Sequence, residues 1–424
     1  MKQIRLRRLE TMKSMARSAK RLIPVVLGSD VNAYGIARSF YEEYGVSSVI
    51  ICKKLWAPCK NTKYISRTIV KSNIEDDDIF LEILDGLEKS LPAFSNDLVL
   101  LPCGDSYSEL ISRNKKTLES RFLFNTVDYK LHRQLNRKQT YYELCEKYGL
   151  AYPTTRVVSK NNFRSSIKDL VFPLVIKPTN SIMYWATSFK GKRKVFMVRD
   201  ETEYKKVLDA IYGSSYDDGL IVQEYIPGER EAEFHLYSDQ QGSVRFMQFD
   251  EMILGSPTPD GIGSHTAETV AKEPELTAEY RIFLNEIGYR GYGNIDFKFD
   301  PRDKKWKTFE INLRPARCSY AMTAAGHNLA KFIVDDIIKN QQKKFTVSKD
   351  PILYTLIPNV LLKKYAPKVW LSKIDELLAS EQVVRHYLPR DDINVRRVID
   401  YGRDQYSYFG KYRKYHGKSM ITDI

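Results

Sequence analysis

Two strand-like segments near residue 300 carry acidic, amide and guanidinium side chains at alternate positions. Alternation divides FEINLR, residues 309–314, into an apolar face with Phe309, Ile311 and Leu313 and a polar face with Glu310, Asn312 and Arg314. The preceding segment NIDFKF, residues 294–299, alternates in the same way and presents Asn294, Asp296 and Lys298 on its polar face. An Asp-Pro turn between the segments predicts an antiparallel hairpin.

This hairpin would place Asp296 beside Glu310 and Asn312. Two carboxylates that face each other across a pair of strands repel. A divalent cation removes the repulsion, since Mg²⁺ prefers oxygen ligands and usually shares them with substrate phosphates. The alternative is a hairpin whose polar face is simply exposed to water, which is common in antiparallel sheets.

Two lysines upstream favour the cation. Lys177 ends the apolar strand LVIK, where an ammonium group without an anionic partner would cost free energy. Lys138 lies in the first turn of a predicted helix that follows Asn136. Lysines near acids and a metal ion suit a nucleoside triphosphate.

The N-terminal third alternates apolar strands with helices. In IPVVLGSDVNAYGIARSFYEEYG a strand leads through a glycine turn into a helix that ends at Gly45, and DLVLLPCGDSYSELIS repeats the pattern. This alternation predicts a parallel α/β sheet with ligands at the carboxyl ends of its strands. Residues at those ends are candidates for a substrate pocket, although tight turns and helix caps would explain the same residue types: Gly28, Ser29, Asp30, Asn32, Asp105 and Ser106.

Two later segments stay open. His265 lies in the glycine-rich stretch DGIGSHTAETV, which predicts a loop on the substrate side, and a loop histidine held by hydrogen bonds is the alternative. The tail YSYFGKYRKYHGK alternates Tyr and Lys as a nucleic-acid binder would, and packing of its rings on the protein surface is the alternative.

The composition limits the class of protein. The 424 residues carry a formal net charge of +14, which favours anionic partners. No apolar run is long enough for a membrane span, and the basic segment 1–22 lacks the apolar core of a signal peptide. Five scattered cysteines indicate free thiols in a reducing compartment, so we expect a cytoplasmic protein.

Taken in order, these motifs resemble the ATP-grasp carboxylate–amine ligases, the superfamily of biotin carboxylase, carbamoyl-phosphate synthase and D-alanine–D-alanine ligase. The resemblance runs from about residue 23 to residue 335. It implies ATP with Mg²⁺ or Mn²⁺ held by Asp296, Glu310 and Asn312. It implies nucleotide contacts from Lys138, Lys177, Gln223, Glu224, Ile226 and Glu231, and catalytic roles for Lys177 and Arg314 at the transferred phosphate.

The implied fold is α/β (α+β). It consists of a basic extension (1–22), a Rossmann-like pre-ATP-grasp domain (23–124), an ATP-grasp domain of two subdomains (125–345) and a C-terminal region (346–424). One departure concerns the loop that covers the phosphates, which is usually rich in glycine. Here the segment NSIMYWATSFKGKRKVFM contains only Gly191, so that Ser188, Lys190 and Lys192 become candidates for added contacts.

Within the superfamily, IPVVLGSDVNAYGIARSFYEEYG and FEINLRPAR most resemble the D-aspartate ligases of Gram-positive bacteria. Those enzymes join the β-carboxylate of D-aspartate to the lysine side-chain amine of UDP-MurNAc-pentapeptide, a peptidoglycan precursor. A ligase that joins L-amino acids into dipeptides is an alternative, and an ATP-binding sensor is the alternative that is not an enzyme. We expect no nucleic-acid partner and no stable membrane insertion, and the oligomeric state stays open.

Overall fold

A computed structural model describes residues 22–91, 97–163, 167, 169–179, 183–184, 187–193, 195–258, 261, 263–385 and 387–417. The predicted basic extension lies outside these residues apart from Leu22. No helix of the described chain has both the length and the apolar character needed to cross a membrane. The described chain forms three sheets.

The first sheet is parallel, as predicted, and has the order β3-β2-β1-β4. Its strands are Leu22–Leu27 (β1), Ser48–Cys52 (β2), Ile65–Val70 (β3) and Asp97–Pro102 (β4). The helices around it are Val31–Tyr44 (α1), Asp77–Lys89 (α2), Asp105–Arg113 (α3) and Lys115–Leu118 (α4), with a short 3-10 turn at Ala57–Cys59. Helix α1 ends at Gly45, whose φ of 66° is the left-handed conformation that glycine adopts readily.

The second sheet is antiparallel and has the order β5-β8-β6-β7. Its strands are Thr155–Val158 (β5), Leu174–Pro178 (β6), Phe196–Val198 (β7) and Leu220–Glu224 (β8). Helices Tyr129–Asn136 (α5) and Lys138–Tyr148 (α6) precede it, and Glu201–Tyr212 (α7) packs on it through a core of aromatic and aliphatic side chains.

The third sheet has eight strands in the order β13-β12-β9-β10-β11-β15-β16, with β14 beside β10. They are Glu231–Ser238 (β9), Val244–Gly255 (β10), His265–Ala271 (β11), Gly291–Asp300 (β12), Lys305–Asn312 (β13), Thr346–Val347 (β14), Leu353–Thr355 (β15) and Val383–Arg385 (β16). Helices Pro274–Glu286 (α8), Tyr320–Ala324 (α9) and Leu329–Ile337 (α10) accompany them. Phe234, Phe249 and Phe297 form the centre of the core on one face of this sheet.

The C-terminal region contributes β15 and β16 to the third sheet and adds helices Asn359–Tyr365 (α11), Leu371–Ala379 (α12) and Val395–Tyr415 (α13), with 3-10 turns at Lys368–Trp370 and Arg390–Asp392. Tyr408 and Tyr412 of α13 are buried, and the Tyr412 ring stacks on Tyr365 with centroids 5.1 Å apart. These two rings of the tail therefore pack against the protein and are not available for stacking on bases.

The same region also contacts the first sheet and its helices α1–α4, which together we call the first sheet's unit. Asp392 accepts hydrogen bonds from Thr62 Oγ1 at 2.6 Å and from the Lys63 backbone at 3.0 Å. Arg397, whose side chain is fully buried, donates to the Lys60 carbonyl at 2.8 Å. The C-terminal region thus contacts the first sheet's unit and also contributes two strands to the third sheet. The four-part division of the sequence stays a prediction.

Candidate functional site

The hairpin of β12 and β13 has the register that the sequence suggested at its polar end. Asp296 lies opposite Glu310, and Asn294 lies opposite Asn312. Asn312 Nδ2 donates to Asn294 Oδ1 at 2.9 Å and to Asp296 Oδ2 at 3.3 Å. Three oxygen-bearing side chains, Asp296, Glu310 and Asn312, therefore meet on one face of the hairpin.

The simple alternation was wrong at Phe309, which was expected in the core; extended by one residue, it would also have placed Thr308 on the polar face. The register shifts between Asp296 and Phe297, so that Thr308 pairs with Phe297 and Phe309 becomes an extra residue, as in a β-bulge. Thr308 is buried and hydrogen-bonds Tyr141 at 2.8 Å, whereas Phe309 is only half-buried. The bulge turns the Phe309 ring towards Lys177, whose Nζ lies 5.1 Å from the ring centroid.

Polar residues continue from this hairpin across two further strands. The pairings β13-β12-β9-β10 align one row of acids, and the neighbouring positions align a second row of amides and a histidine. We call these two rows the polar band. The acidic row is Glu310, Asp296, Glu233 and Asp250; the second row is Asn312, Asn294, His235 and Gln248.

The inner part of the polar band is a buried ionic cluster. His235 Nε2 lies 3.0 Å from Asp250 Oδ2, 3.3 Å from Glu233 Oε1 and 3.7 Å from Glu268 Oε1. Burial alone would lower the pKa of His235, but the Glu233 carboxylate and the other two acids outweigh it and raise that pKa well above its usual value. Burial and the neighbouring Glu233 raise the pKa of Glu268. The charged His235 imidazolium thus stabilises the acids around it. The raised pKa of Glu268 means that this carboxyl group keeps its proton to a higher pH than an ordinary glutamate does.

Sequence reasoning missed Glu233, His235, Asp250 and Glu268. The alternation in EAEFHL, residues 231–236, was a usable signal, because it puts Glu231, Glu233 and His235 on one face of a strand. Asp250 and Glu268 come from other strands, and only the pairing of β9, β10 and β11 brings them close.

His265 belongs to this cluster, and its predicted place in a loop was wrong. It is the first residue of β11 and is buried, because β11 pairs with both β10 and β15. His265 Nδ1 lies 2.8 Å from Glu268 Oε2 and 3.6 Å from Glu233 Oε1. Burial works against protonation, but Glu233 and Glu268 prevail and raise the pKa of His265 to about 10.

Lys138 joins the hairpin from helix α6, of which it is the first residue. Its Nζ forms an ion pair with Glu310 Oε2. The Lys138 ammonium is the main reason that the pKa of Glu310 falls to about 2. Burial, followed by the Glu310 charge, raises the pKa of Asp296 well above its usual value. A carboxylate and a carboxyl group that tends to keep its proton therefore face each other.

This donor set fits Mg²⁺ or Mn²⁺. Asp296 and Glu310 offer carboxyl oxygens, which these hard cations prefer, and Asn312 carries an amide oxygen that here accepts a hydrogen bond from Arg314. A cation between Asp296 and Glu310 would replace the proton on Asp296 and remove the repulsion between the two carboxyl groups. The residues at this position thus suit a divalent metal ion.

Arg314 lies just after β13, at the boundary between the third sheet and the first sheet's unit. Its Nε donates to Asp105 Oδ1 at 3.0 Å, and its Nη2 donates to Asn312 Oδ1 at 3.3 Å. Asp105 begins helix α3 at the carboxyl end of β4. The structure therefore brings a predicted substrate residue and a predicted catalytic residue together across 209 positions of sequence.

The other substrate candidates make contacts of turns and caps. Gly28 has φ of 132°, and a Cβ there would lie 2.9 Å from the Cys103 Cβ. Ser29 donates to the Lys54 carbonyl at 2.5 Å, and Asp30 accepts from the Ala33 backbone at 3.2 Å as the cap of α1. Asn32 and Ser106 complete the set: Asn32 Nδ2 donates to the Pro315 carbonyl at 2.7 Å, and Ser106 is exposed.

Asn32 thereby holds the loop that follows Arg314. Ser319 Oγ donates to Asn32 Oδ1 at 2.8 Å, so this side chain bonds both ends of residues 315–319. The substrate roles of the six residues at the strand ends stay predictions.

The predicted adenine segment connects β8 with β9. The Gln223 side chain is buried and donates to Tyr142 Oη at 3.0 Å and to Thr155 Oγ1 at 2.8 Å. Glu224 forms ion pairs with Arg302 at 2.8 Å and Lys307 at 3.1 Å. Because these side chains bond within the protein, the backbone of the segment is the part suited to recognise a base.

The remaining nucleotide candidates are placed as follows. Ile226 is buried, and Glu231 Oε1 lies 3.4 Å from Lys298 Nζ on the neighbouring strand. In the predicted phosphate loop, Lys192 donates to the Thr187 carbonyl, and its Nζ lies 5.4 Å from the Tyr184 ring centroid. Ser188 and Lys190 are exposed, and residues 180–182, 185–186 and 194 of this loop lie outside the described residues.

The sequence matches known proteins over most of its length. It is 33% identical to the D-aspartate ligase of Enterococcus faecium over 371 residues, which cover 85% of this chain and 88% of the relative. It is 24% identical to the carbamoyl phosphate synthase large chain of Pyrococcus furiosus over 212 residues, 47% of this chain and 19% of that relative. Residues 146–335 match the family model of the carbamoyl-phosphate synthase L chain, ATP binding domain.

Solved structures show the same fold. An ADP complex of N5-carboxyaminoimidazole ribonucleotide synthetase aligns with a TM-score of 0.58 at 16% identity, over 78% of this chain and 81% of that one. An L-amino acid ligase from Bacillus licheniformis aligns with a TM-score of 0.55 at 13% identity, over 75% and 74%. The chain therefore has the ATP-grasp fold and belongs to the ATP-grasp carboxylate–amine ligases, in which it is similar to D-aspartate ligase.

Proposed function

We propose that this ATP-dependent ligase joins the β-carboxylate of D-aspartate to the lysine side-chain amine of UDP-MurNAc-pentapeptide, and that it acts in the cytoplasm in peptidoglycan cross-bridge synthesis. The observation that carries the proposal is the 33% identity to D-aspartate ligase over 85% of the chain. The net charge of +14 also suits a polyanionic acceptor.

In the proposed reaction, the amino-acid carboxylate attacks the γ-phosphorus of ATP and gives an acyl phosphate and ADP. The acceptor amine then attacks the acyl carbon, and phosphate leaves with the electron pair of the broken C–O bond. Such phosphoryl transfer depends mostly on positioning and on neutralising charge. A protein nucleophile is not required by this scheme.

The residues of the site would divide this work. Lys138 and Lys177 would contact the polyphosphate, and Asp296, Glu310 and Asn312 would hold the divalent cation. When bound, that cation would supply positive charge that neutralises the phosphates. The ion pair of Lys138 with Glu310 keeps Glu310 ionised, and from this position Lys138 would also contact phosphate.

Arg314 would neutralise the transferring phosphoryl group. In the structure Asp105 and Asn312 hold its guanidinium, which fixes its direction before a substrate arrives. A substrate carboxylate or phosphate that approaches Arg314 must share it with Asp105. This contact links the predicted substrate edge of the first sheet to the predicted metal site.

The experiment is release of phosphate from ATP with the full chain, Mg²⁺, one amino acid at a time and either a lysine-containing murein precursor or none. We expect ADP and phosphate, with the fastest turnover for D-aspartate plus precursor. AMP as product would overturn the acyl-phosphate scheme. Turnover with D-aspartate that ignores the precursor would overturn the proposed acceptor.

The same assay separates the alternatives. Turnover with L-amino acids and a free amino acid as acceptor would indicate a dipeptide-forming ligase. Tight ATP binding without turnover under every combination would indicate a sensor, and either outcome would replace the proposed function.

A further inference from the structure

The last helix of the described chain, α13, has one side that packs on the protein and one side that the described residues leave uncovered. Arg397, Tyr408 and Tyr412 lie on the packed side and are buried. Apolar side chains on the other side are exposed to solvent, each by at least 42%. They are Val395 (76%), Val398 (45%), Ile399 (47%), Tyr406 (79%) and Phe409 (42%), which we call the apolar stripe.

The stripe lies along one face of the helix. Its members recur at intervals of three, four or seven residues and form two groups, 395–399 and 406–409, with Gly402 between them on the same face. Neither Gly402 nor Gly410 adds a polar side chain to this face. From Val395 to Phe409 the stripe is about 21 Å long at 1.5 Å per residue. Isolated exposed apolar residues need no partner, but five of them on one face of one helix, with polar residues at its edge, indicate an interaction surface.

The charges beside the stripe have one sign. Every fully exposed charged residue of α13 is basic, and the two acids of the helix, Asp400 and Asp404, are half-buried on other faces. Arg396, Arg403 and Lys414 are separated by seven and eleven residues, which are close to two and three helical turns. They therefore line one edge of the stripe, and we call them the basic flank.

We propose that α13 lies against an anionic lipid surface, with the apolar stripe at the boundary of headgroups and acyl chains and the basic flank at lipid phosphates. Helices that lie in a membrane interface combine such an apolar face with Lys and Arg at its edge. The helix is already packed on the protein by its other side, so the contact would be peripheral and would carry the whole chain to the surface.

A second copy of the chain fits the stripe less well. If two such helices packed antiparallel through their stripes about a two-fold axis, their basic flanks would lie on the same side of the pair and repel each other. Charge thus disfavours the antiparallel pair, whereas an anionic surface complements the flank. The stripe and flank are separate from the proposed ATP and metal ligands, so the inference does not depend on the proposed function.

The test is co-sedimentation of the full chain with vesicles of phosphatidylcholine alone or with added phosphatidylglycerol. We expect binding to the anionic vesicles that weakens as salt rises. Combined Val395→Ser, Tyr406→Ser and Phe409→Ser should weaken it at least tenfold, and Arg403→Gln about fivefold, on anionic vesicles only. Val171→Ser is the matched control, because Val171 is as exposed as Val395, at 76%.

Residues 1–21 are also basic and stay unchanged in every variant, so a difference between variants reports on the stripe. Melting temperatures and ATP turnover in solution should match those of the unchanged chain, which shows that the variants are folded. Equal vesicle binding by the triple variant would overturn the proposal. A dimer in sedimentation velocity that the triple variant converts to a monomer, without any vesicle binding, would assign the stripe to a second copy and overturn it as well.

Discussion

Replacing Glu310 by Gln tests the central assignment of the site. The change keeps the size of the side chain and removes the carboxylate that pairs with Lys138 and faces Asp296. Loss of one charge-assisted hydrogen bond should lower the free energy of unfolding by roughly 1–3 kcal/mol. Part of that loss is offset, because Asp296 no longer faces a second carboxylate and can ionise beside Lys138.

The effect on function should be much larger. Without one carboxylate ligand the affinity for Mg²⁺ or Mn²⁺ should fall by more than the roughly 10- to 100-fold that loss of a residue supporting a ligand costs. Turnover should fall about 100- to 1000-fold, as it does when one preorganised group that stabilises transition-state charge is lost. Cation binding should also extend to lower pH in the variant, because the Glu310 charge no longer raises the pKa of Asp296.

The assays are phosphate release, Mn²⁺ binding in the presence of ATP, and thermal unfolding. Glu43→Gln is the matched control, since Glu43 also pairs with a lysine, Lys331, at 3.0 Å but on the surface; it should leave all three measurements unchanged. A Glu310→Gln protein that turns over within tenfold of the unchanged chain, with the same Mn²⁺ affinity, would refute the metal role of Glu310.

Three further predictions concern the surroundings of the site. Gly28→Ala should lower the free energy of unfolding, measured in denaturant, by about 1–3 kcal/mol, because the φ of Gly28 is positive and the new Cβ would meet the Cys103 side chain. An unchanged denaturation midpoint would show that the Cys103 side chain shifts to make room. His265, with its pKa raised to about 10, stabilises the fold fully below pH 6.5, and this stabilisation should be lost as the pH rises towards 10, by up to about 1.4 kcal/mol per pH unit; His265→Gln should flatten the melting profile over that window, and an unchanged slope would contradict the charge assignment. Lys307→Met should raise the KM for ATP while the kcat changes less, because it removes one of the two ion pairs that hold Glu224 in the adenine segment and leaves only the pair with Arg302; an unaltered KM would exclude that coupling.

The sequence allowed the parallel first sheet, the hairpin and the pairing of Asp296 with Glu310 to be predicted, because each depends on local alternation and short turns. It did not predict the bulge at Phe309, since FEIN alternates perfectly and the extra residue becomes visible only when β13 is aligned with β12. The contact of Arg314 with Asp105 depends on how two units pack, which no local pattern records.

The buried ionic cluster beside the hairpin was partly predictable from the sequence. Alternation could have placed Glu233 and His235 together on one face of β9. A strand whose polar face is exposed to solvent would, however, have the same sequence pattern. Only the burial of His235 and its contacts with Asp250 of β10 and Glu268 of β11 distinguish an ionic cluster from a solvated strand.

The contact of the C-terminal region with the first sheet's unit bears on how the chain is made. The Thr62 hydroxyl bonds a carboxylate, Asp392, that is translated 330 residues later. At 5–20 residues per second, the ribosome needs roughly 15–65 s to supply it. During that interval the carbonyl of Lys60 and the backbone of Lys63 lack the partners that Arg397 and Asp392 provide in the finished protein. The first sheet's unit therefore reaches its full set of hydrogen bonds only after Asp392 and Arg397 have been made and have folded onto it, and synthesis of the first sheet alone does not make this unit fully stable.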